Sequence, residues 1–208
     1  MQEIQWLSDQ NNCTEEQNHD ISNSASDMID PRDGKTYKTV KIGNQIWMAE
    51  NLNYEMPGSR CYGDNAESAK IHGRLYNWRM AMRAVPTGWH LPSKEEYQEL
   101  IDNIGHDGLY SALKSTCEWH DMTGNGTNSS GFSALPSGYC IGREYGDMER
   151  YYSLGLFAGF WTSTESKRDF GKACAMQIDL NFESVWWRHH VLDFKTTDTF
   201  LSVRLIKD

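Results

Sequence analysis

The sequence contains no apolar run of the roughly 18 residues that a membrane-spanning helix requires, so no membrane span is predicted. The segment Met1–Leu7 does not combine a basic stretch with an apolar one. We therefore expect no secretory signal peptide within the chain, and this absence leaves the compartment of the protein open.

Cysteine is scarce, with five residues and no Cys-x-x-Cys spacing. The spacings do not fit a zinc ribbon. An odd number allows at most two disulfides plus one free thiol, and the pairing stays open. Buried free thiols are an equally good interpretation. The five residues are Cys13, Cys61, Cys117, Cys140 and Cys174.

Basic residues are outnumbered, since 20 Lys and Arg face 29 Asp and Glu and give a net charge of −9. No basic stripe is visible, so we expect no nucleic-acid partner. The Gly-x-Ser-x-Gly motif of hydrolase nucleophiles is also missing. No other set of Ser, His and Asp stands out, and we predict that the protein is not an enzyme.

Aromatic residues and glycine are plentiful, with 8 Trp, 10 Tyr, 7 Phe and 17 Gly in 208 residues. This composition favours a domain rich in strands and loops over a helical bundle. Residues 1–30 are polar and weakly periodic, and we interpret them as an extension. Residues 31–208 are predicted to form one domain.

The clearest helix signal follows Gly88-Trp-His-Leu-Pro92. Ser93 and Glu96 have the spacing of a capping box, which predicts a helix that begins after Ser93. Gly105 is placed to end it. Apolar residues on one stripe should face the core, namely Tyr97, Leu100, Ile101 and Ile104.

Other segments have weaker signals. Residues 36–42 alternate as a strand and return through a Gly43-Asn44 turn into residues 45–48, which predicts a hairpin. A second helix is predicted from Ala66 to Ala84, with its firm part at 74–84 because Gly73 weakens the first half. Further strands or extended segments are expected at 132–139, 159–164, 173–180 and 201–206, the last with alternating apolar residues. Residues 185–192 are interpreted as a strand or a loop, and 107–130 as a loop.

Several motifs occur in an order typical of one family. They are Asp33–Leu52, Leu75-Tyr-Asn-Trp78, Gly88–Pro92, Thr127–Pro136, Phe160-Trp-Thr-Ser-Thr-Glu165 and Ser202-Val-Arg204. With these motifs the chain resembles the Fibrobacter succinogenes major paralogous domain over about residues 30–208. Some of them are also similar to the wider C-type-lectin-like fold of formylglycine-generating enzymes and retroelement-diversified receptor proteins. The resemblance implies an α+β fold with two helices, a twisted antiparallel sheet and long loops.

The chain departs from this family at two positions. The family usually has cysteine where Val85 and Leu205 stand here. Loss of both thiols together is what replacement of a disulfide by an apolar pair would produce. We therefore expect Val85 and Leu205 to be in contact, with side-chain atoms within about 4.5 Å.

Metal sites have only partial support. The loop oxygens of Asp121, Asn125, Asn128 and Asp147 could hold a structural calcium ion, although a plain polar loop is the favoured interpretation. Cys117 and His120 supply only half of a zinc site. No cofactor is otherwise expected.

One short span concentrates the residue types that dominate binding surfaces. It contains Trp186, Trp187, Arg188, His189 and His190. The nearby loop adds Arg168, Asp169 and Phe170. In the retroelement-diversified relatives, the stretches before the final Ser-Val-Arg form the exposed variable surface. We predict that the loops of residues 165–192 bind a ligand.

The resemblance implies a secreted or surface-attached protein of bacteria or their phages, acting in recognition or adhesion. We expect a module that binds a protein or glycan ligand on a cell surface. Two other functions remain open. One is an enzyme related to the formylglycine-generating oxidases, and the other is a structural subunit of a surface appendage with the N-terminal extension as a docking arm.

Overall fold

The computed structural model of the chain describes residues 26–122, 124–142, 149–167, 169–179 and 191–208. For residues 191–194 it describes the backbone only. Its α-helices are α1 (Ala66–His72), α2 (Trp78–Ala81), α3 (Lys94–Ile104) and α4 (Leu109–Leu113). Its strands are β1 (Met28–Ile29), β2 (Thr36–Tyr37), β3 (Thr39–Ile42), β4 (Gln45–Met48), β5 (Trp89–His90), β6 (Ser137–Ile141), β7 (Arg150–Leu154), β8 (Ala158–Glu165), β9 (Lys172–Ile178), β10 (Val191–Lys195), β11 (Thr199–Phe200) and β12 (Ile206–Lys207).

The strands of these ranges pair antiparallel in small sheets, ordered β1-β2, β3-β4-β12-β5, β11-β6-β7 and β10-β9-β8. The α+β class with antiparallel sheets is therefore confirmed. The described residues contain four helices where the resemblance implied two, and several small sheets replace one large sheet. None of these helices is long and apolar enough to cross a membrane.

The predicted N-terminal hairpin is confirmed over residues 39–48, whereas Thr36 and Tyr37 of its predicted first strand form β2, which pairs with β1. Strands β3 and β4 pair from Thr39 with Met48 to Ile42 with Gln45, and Gly43 in the turn between them has a φ of 60°. The fold includes β1, whose Met28 is buried, so ordered chain precedes the predicted boundary at residue 31.

Helix α3 begins and ends where the sequence predicts. The Ser93 hydroxyl accepts a hydrogen bond from the Glu96 N–H (3.2 Å), and the Glu96 carboxylate accepts one from the Ser93 N–H (2.7 Å). Gly105 ends the helix. Tyr97, Leu100 and Ile101 are buried in the core, so the apolar stripe faces inward as expected.

The second predicted helix, from Ala66 to Ala84, is divided into two helices, and its firm part is misplaced. Residues 66–72 form the longer helix, and within 74–84 only Trp78–Ala81 is α-helical. Two asparagines explain the difference, because Asn65 caps α1 and Asn77 caps α2 through their side chains. Gly73 ends α1 with a φ of 71°, and Leu75 and Tyr76 then form bridges to Arg60 and Leu201.

Three weaker predictions are also revised. The short apolar piece Leu109–Leu113 within the predicted loop is a helix. The extended segment predicted at 132–139 is a strand only from Ser137 onward. This strand, β6, continues to Ile141 and pairs with β7 in a hairpin. Residues 201–206 are all buried instead of alternating, because their backbone bonds to several segments at once. Those bonds join Tyr76 with Leu201, Gly159 with Ser202, Leu52 with Val203, and Met48 with Leu205.

The structure bears on the predicted Val85–Leu205 pair and on the state of the cysteines. Leu205 is buried in an apolar cluster against which Val85 packs, while direct contact between the pair stays a prediction. Cys117 is disulfide-bonded. Cys61, Cys140 and Cys174 are free thiols.

A buried cation connects the two ends of the described fold. The Arg204 guanidinium is fully buried and donates to the carbonyl oxygens of Met48 (3.0 Å), Phe132 (2.7 Å) and Ser133 (2.7 Å) and to Oδ1 of Asn51 (2.6 Å). Burial lowers the pKa of Arg204 to about 9, so the group is still charged at neutral pH.

Ring faces and an amide complete the surroundings of this cation. The guanidinium carbon lies 5.0 Å from the ring centroid of Phe132 and 5.6 Å from that of Phe160. Asn51 in turn donates to the Ser137 hydroxyl (2.7 Å) and to the carbonyl oxygen of His72 (2.8 Å). The network therefore joins the N-terminal hairpin, α1, β6 and the C-terminal segment.

We expect Arg204→Met to destabilise the protein by roughly 3 kcal/mol or more. The substitution leaves carbonyl oxygens of Met48, Phe132 and Ser133 unpaired in the interior, at about 1–3 kcal/mol each before relaxation. Urea unfolding of this variant is compared with Arg83→Met, which replaces an exposed arginine. Equal midpoints for the two variants would contradict the structural role of Arg204.

We also expect Gly73→Ala to cost about 1–3 kcal/mol more than Gly105→Ala. Both glycines end helices at positive φ, 71° and 88°, so the backbone strain is matched. A Cβ on Gly73 would lie 2.7 Å from the Asn51 Cβ, whereas one on Gly105 would meet nothing within 4 Å. Thermal and urea unfolding measure the difference, and similar losses in both variants would rule out the steric explanation.

Candidate functional site

Strand β8, at the edge of the β10-β9-β8 sheet, leads into the predicted binding loops and is tied to other parts of the fold. Trp161 is fully buried, and its indole N–H donates to the carbonyl oxygen of Tyr76 (2.7 Å). The indole N–H of Trp78 donates to the carbonyl oxygen of Thr162 (2.8 Å). These bonds connect β8 to α2 and to the bridge that precedes it, so the strand is held at Trp161 and Thr162.

A β-bulge directs the end of β8 toward α3. The pairing of β8 with β9 shifts register between Trp161 and Glu165. Within this bulge, the Ser163 N–H donates to the carbonyl oxygen of Pro92 (2.7 Å), and the Thr164 hydroxyl accepts from the Lys94 N–H (3.0 Å). The bulge thus attaches the Trp-Thr-Ser-Thr motif to the start of the capped helix.

A second contact fastens the start of α3. His90 Nε2 lies 2.8 Å from Glu96 Oε1, and His90 Nδ1 lies 2.7 Å from Asp208 Oδ1. Partial burial alone would lower the pKa of His90, but the bonds to Glu96 and Asp208 outweigh it and raise the pKa. Partial burial would likewise raise the pKa of Glu96, but bonds from Ser93 and His90 lower it.

The turn between β8 and β9 is closed by its own hydrogen bonds. The Ser166 N–H donates to the carbonyl oxygen of Lys172 (2.9 Å), and the Asp169 N–H donates to the Ser166 hydroxyl (3.1 Å). Lys172 Nζ lies 2.8 Å from Asp169 Oδ2. The carbonyl oxygen of Gly171 accepts from the N–H and the hydroxyl of Thr196, each at 3.0 Å. The turn is therefore tied both to itself and to the segment after β10.

Phe170 is presented by this turn. Its side chain is fully exposed, at 109% of the reference area. The exposed side chains of Lys167 and Asp169 give the surface around it mixed charge. An aromatic ring without cover, surrounded by both signs of charge, is a surface suited to contact with a partner.

The structure places only part of the predicted site. Asp169 and Phe170 lie in the β8–β9 turn, whereas Arg168, Trp186, Trp187, Arg188, His189 and His190 lie outside the described residues. In the sequence, Trp186 to His190 come after the C-terminal end of β9. The six residue-to-residue steps of this strand, from Lys172 to Ile178, span roughly 20 Å. The two parts of the predicted site therefore join the sheet at opposite ends of one strand.

The candidate metal ligands are largely engaged by the protein itself. Asn125 Oδ1 accepts from the Trp119 N–H (3.1 Å), and Asn128 Oδ1 accepts from the Ser133 N–H (2.8 Å). Asp147 lies outside the described residues. In the described part of the chain, no three His, Cys, Asp or Glu residues are arranged to hold a metal. The structural calcium ion stays a prediction.

The sequence interpretation missed the residues that support the site. Asn51 and Arg204 belong to recognised motifs, but their buried polar network was not predicted. Thr162 accepts from Trp78 through its backbone and donates from its hydroxyl to the carbonyl oxygen of Cys174 (2.9 Å). The available signal was an arginine flanked by apolar residues in the last segment, since buried charges require several partners.

The geometry defines a class: an α+β protein with antiparallel sheets, a buried polar network and an aromatic side chain exposed on a fixed turn. The sequence model of the Fibrobacter succinogenes major domain matches residues 40–207. The chain belongs to this family. No curated protein and no solved structure matches it.

The His90 contact predicts a pH dependence of stability. Because the folded pKa of His90 is raised, its contribution is complete below the unfolded value of about 6.5 and is lost as pH rises through the folded value. The folded pKa of Glu96 is lowered, so its contribution is present above its unfolded value of about 4.3 and is lost as pH falls. The contact should stabilise most between these two values.

We expect His90→Gln to weaken the protein at mildly acidic pH and to have less effect at alkaline pH. Urea midpoints on either side of neutrality measure this difference. His106→Gln, which replaces an exposed histidine on the loop after α3, is the control. An equal loss at both pH values would contradict the assignment.

Proposed function

We propose that this protein is a non-catalytic recognition module whose loops at residues 165–192 bind a protein or glycan ligand. It acts outside the cell, as a secreted or surface-attached protein of a bacterium or phage. Its finer fold is the C-type-lectin-like one. The α+β class, the antiparallel sheets and the long irregular stretch between α4 and β6 support that placement.

The single observation that carries the proposal is the exposure of Phe170 on a hydrogen-bonded turn. Full burial of such a ring stabilises a contact by roughly 1.5–3 kcal/mol. The free protein does not gain this stabilisation, because Phe170 is fully exposed. The bonds of Ser166, Asp169 and Gly171 hold the turn in place, so little ordering would be required on binding.

The chain between β9 and β10 contains further residue types that are common in binding surfaces. Trp186, Trp187 and Arg188 are the side chains that most often dominate interface energies, and indole rings also stack on sugars. The turn with Phe170 and this connection flank β9 at its two ends. A large ligand would contact both ends, and a small one would contact one end.

The thiol chemistry supports a non-catalytic protein. Cys140 is fully buried, and burial raises the pKa of its thiol to about 11, which favours the unreactive form. Cys174 is buried as a free thiol in β9. An oxidase of the formylglycine-generating kind depends on reactive cysteines, and these two buried thiols are poor candidates for that role.

The proposal is tested by screening immobilised glycans and bacterial surface proteins for binding. We expect Trp186→Ala, Trp187→Ala, Arg188→Ala or Phe170→Ala to weaken the strongest interaction by about tenfold or more in at least one case. Met122→Ala is the matched control, because Met122 is also an exposed apolar residue, at 74%, but lies in the loop after α4.

The four variants also show at which end of β9 the ligand binds. Loss with Phe170→Ala alone assigns the ligand to the β8–β9 turn, and loss with the other variants assigns it to the connection after β9. Unchanged binding in all four variants, or an equal loss with Met122→Ala, would overturn the site assignment.

A further inference from the structure

A separate pocket lies between strand β2, the segment after β4 and helix α1. It encloses about 210 Å³ and is lined by the segment around β2, by residues 50–53, by α1 and by Leu135. None of its lining residues belongs to the loops at 165–192. This volume is below the roughly 300–1,000 Å³ of pockets for drug-sized ligands, so a ligand would be a single small ring.

The polar groups of this pocket include both donors and acceptors. Lys35 lines the pocket, and its Nζ donates to the carbonyl oxygen of Asn53 (2.5 Å). The Glu50 carboxylate accepts from the Lys38 N–H through Oε2 (2.6 Å). Lys70 also lines the pocket, from α1. A ligand with several hydroxyl groups could donate to the carboxylate and accept from the ammonium groups at once.

The charges around the pocket are closely compensated. Lys35 pairs with Asp33 (3.1 Å), and Lys70 pairs with Glu67 (2.7 Å). Glu50 adds one negative charge to these two ion pairs, so the five groups together carry a net charge of −1. An anionic ligand would be repelled, whereas a neutral polar ligand can donate a hydrogen bond to the Glu50 carboxylate.

One wall of the pocket is apolar. Ile71 lines it from α1 and is 54% exposed, and Leu135 and Ala69 also line it. Ile71 thus keeps an apolar surface open to solvent beside the polar groups. A sugar ring has the matching form, with C–H groups on its faces and hydroxyl groups at its edge.

The pocket is formed before any ligand binds. Gly73 lines it at a position where a Cβ would collide with the backbone oxygens of Asn51 and Leu52, each at 2.9 Å. Asn51 is held by Arg204. A lining fixed by the core needs little rearrangement, which favours binding of a small ligand.

We propose that this pocket binds one neutral sugar ring, with Glu50 and Lys35 at its hydroxyl groups and Ile71 against its C–H face. It is a second site, distinct from the loops at 165–192. A single ring of this size would bind with a Kd on the order of 1 mM.

The test is a two-dimensional amide NMR titration of the full chain. The probes are glucose, galactose, mannose and N-acetylglucosamine, together with their methyl glycosides, glucuronate and glucosamine. We expect at least one neutral sugar to shift the amides of Lys35, Glu50, Ile71 and Gly73. Binding of a methyl glycoside assigns the site to the terminal unit of a glycan, and binding of the free sugar alone assigns it to a monosaccharide.

Paired variants identify the contacts. Glu50→Gln and Ile71→Ser should each lower the affinity for the sugar by about tenfold, as expected for loss of a charge-assisted hydrogen bond or an apolar contact. The controls are Glu95→Gln on the exposed side of α3 and Met122→Ser, which should leave the affinity unchanged. Thermal unfolding confirms that each variant is folded before the titration is interpreted.

Several outcomes would overturn this proposal. They are no shift of the pocket amides with any neutral sugar, tighter binding of glucuronate or glucosamine than of every neutral sugar, or equal losses with variants and controls. Phe170→Ala and Trp187→Ala should leave the titration unchanged. These two variants distinguish failure of the pocket proposal from failure of the proposal for the loops at 165–192.

Discussion

The fold depends on a buried guanidinium that is balanced by dipoles. Within the described residues, Arg204 hydrogen-bonds to three backbone carbonyls and the Asn51 amide, with no carboxylate among its hydrogen-bond acceptors. Such a cation is stable in the interior only when every partner is in place, so it requires the hairpin, residues 132–133 and the last segment to be correctly assembled. Glu50, whose charge acts on Arg204, also lines the proposed sugar pocket. The two regions are therefore connected.

This constraint explains how surface turns acquire fixed positions in a chain with short strands. The last segment bonds to Tyr76, Gly159 and Leu52, and β8 bonds in turn to the start of α3 at Pro92. The β8–β9 turn is thus only a few bonds from the core network. A protein built in this way can keep its core residues unchanged while its exposed residues differ, because exposed side chains such as Phe170 contribute little to the interior.

Local signals in the sequence predicted α3 and the β3–β4 hairpin well. In both cases the decisive contacts are between near neighbours, such as Ser93 with Glu96 and the Gly43 turn. The helix predicted at 66–84 is two helices, and its firm part at 74–84 was misplaced because the apolar spacing outweighed two capping asparagines, Asn65 and Asn77. The alternation in residues 201–206 was also misleading, since contacts far apart in the chain bury every one of them.

The sequence by itself determined the family motifs, the α+β class and the aromatic character of the loops at 165–192, because these follow from residue identity and short-range spacing. Only the tertiary structure decided that Phe170 and the connection after β9 join opposite ends of one strand. Only it brought Asn51 to Arg204, across 153 positions of sequence. Strand pairing and buried polar networks depend on which distant segments meet, and no local pattern records that choice.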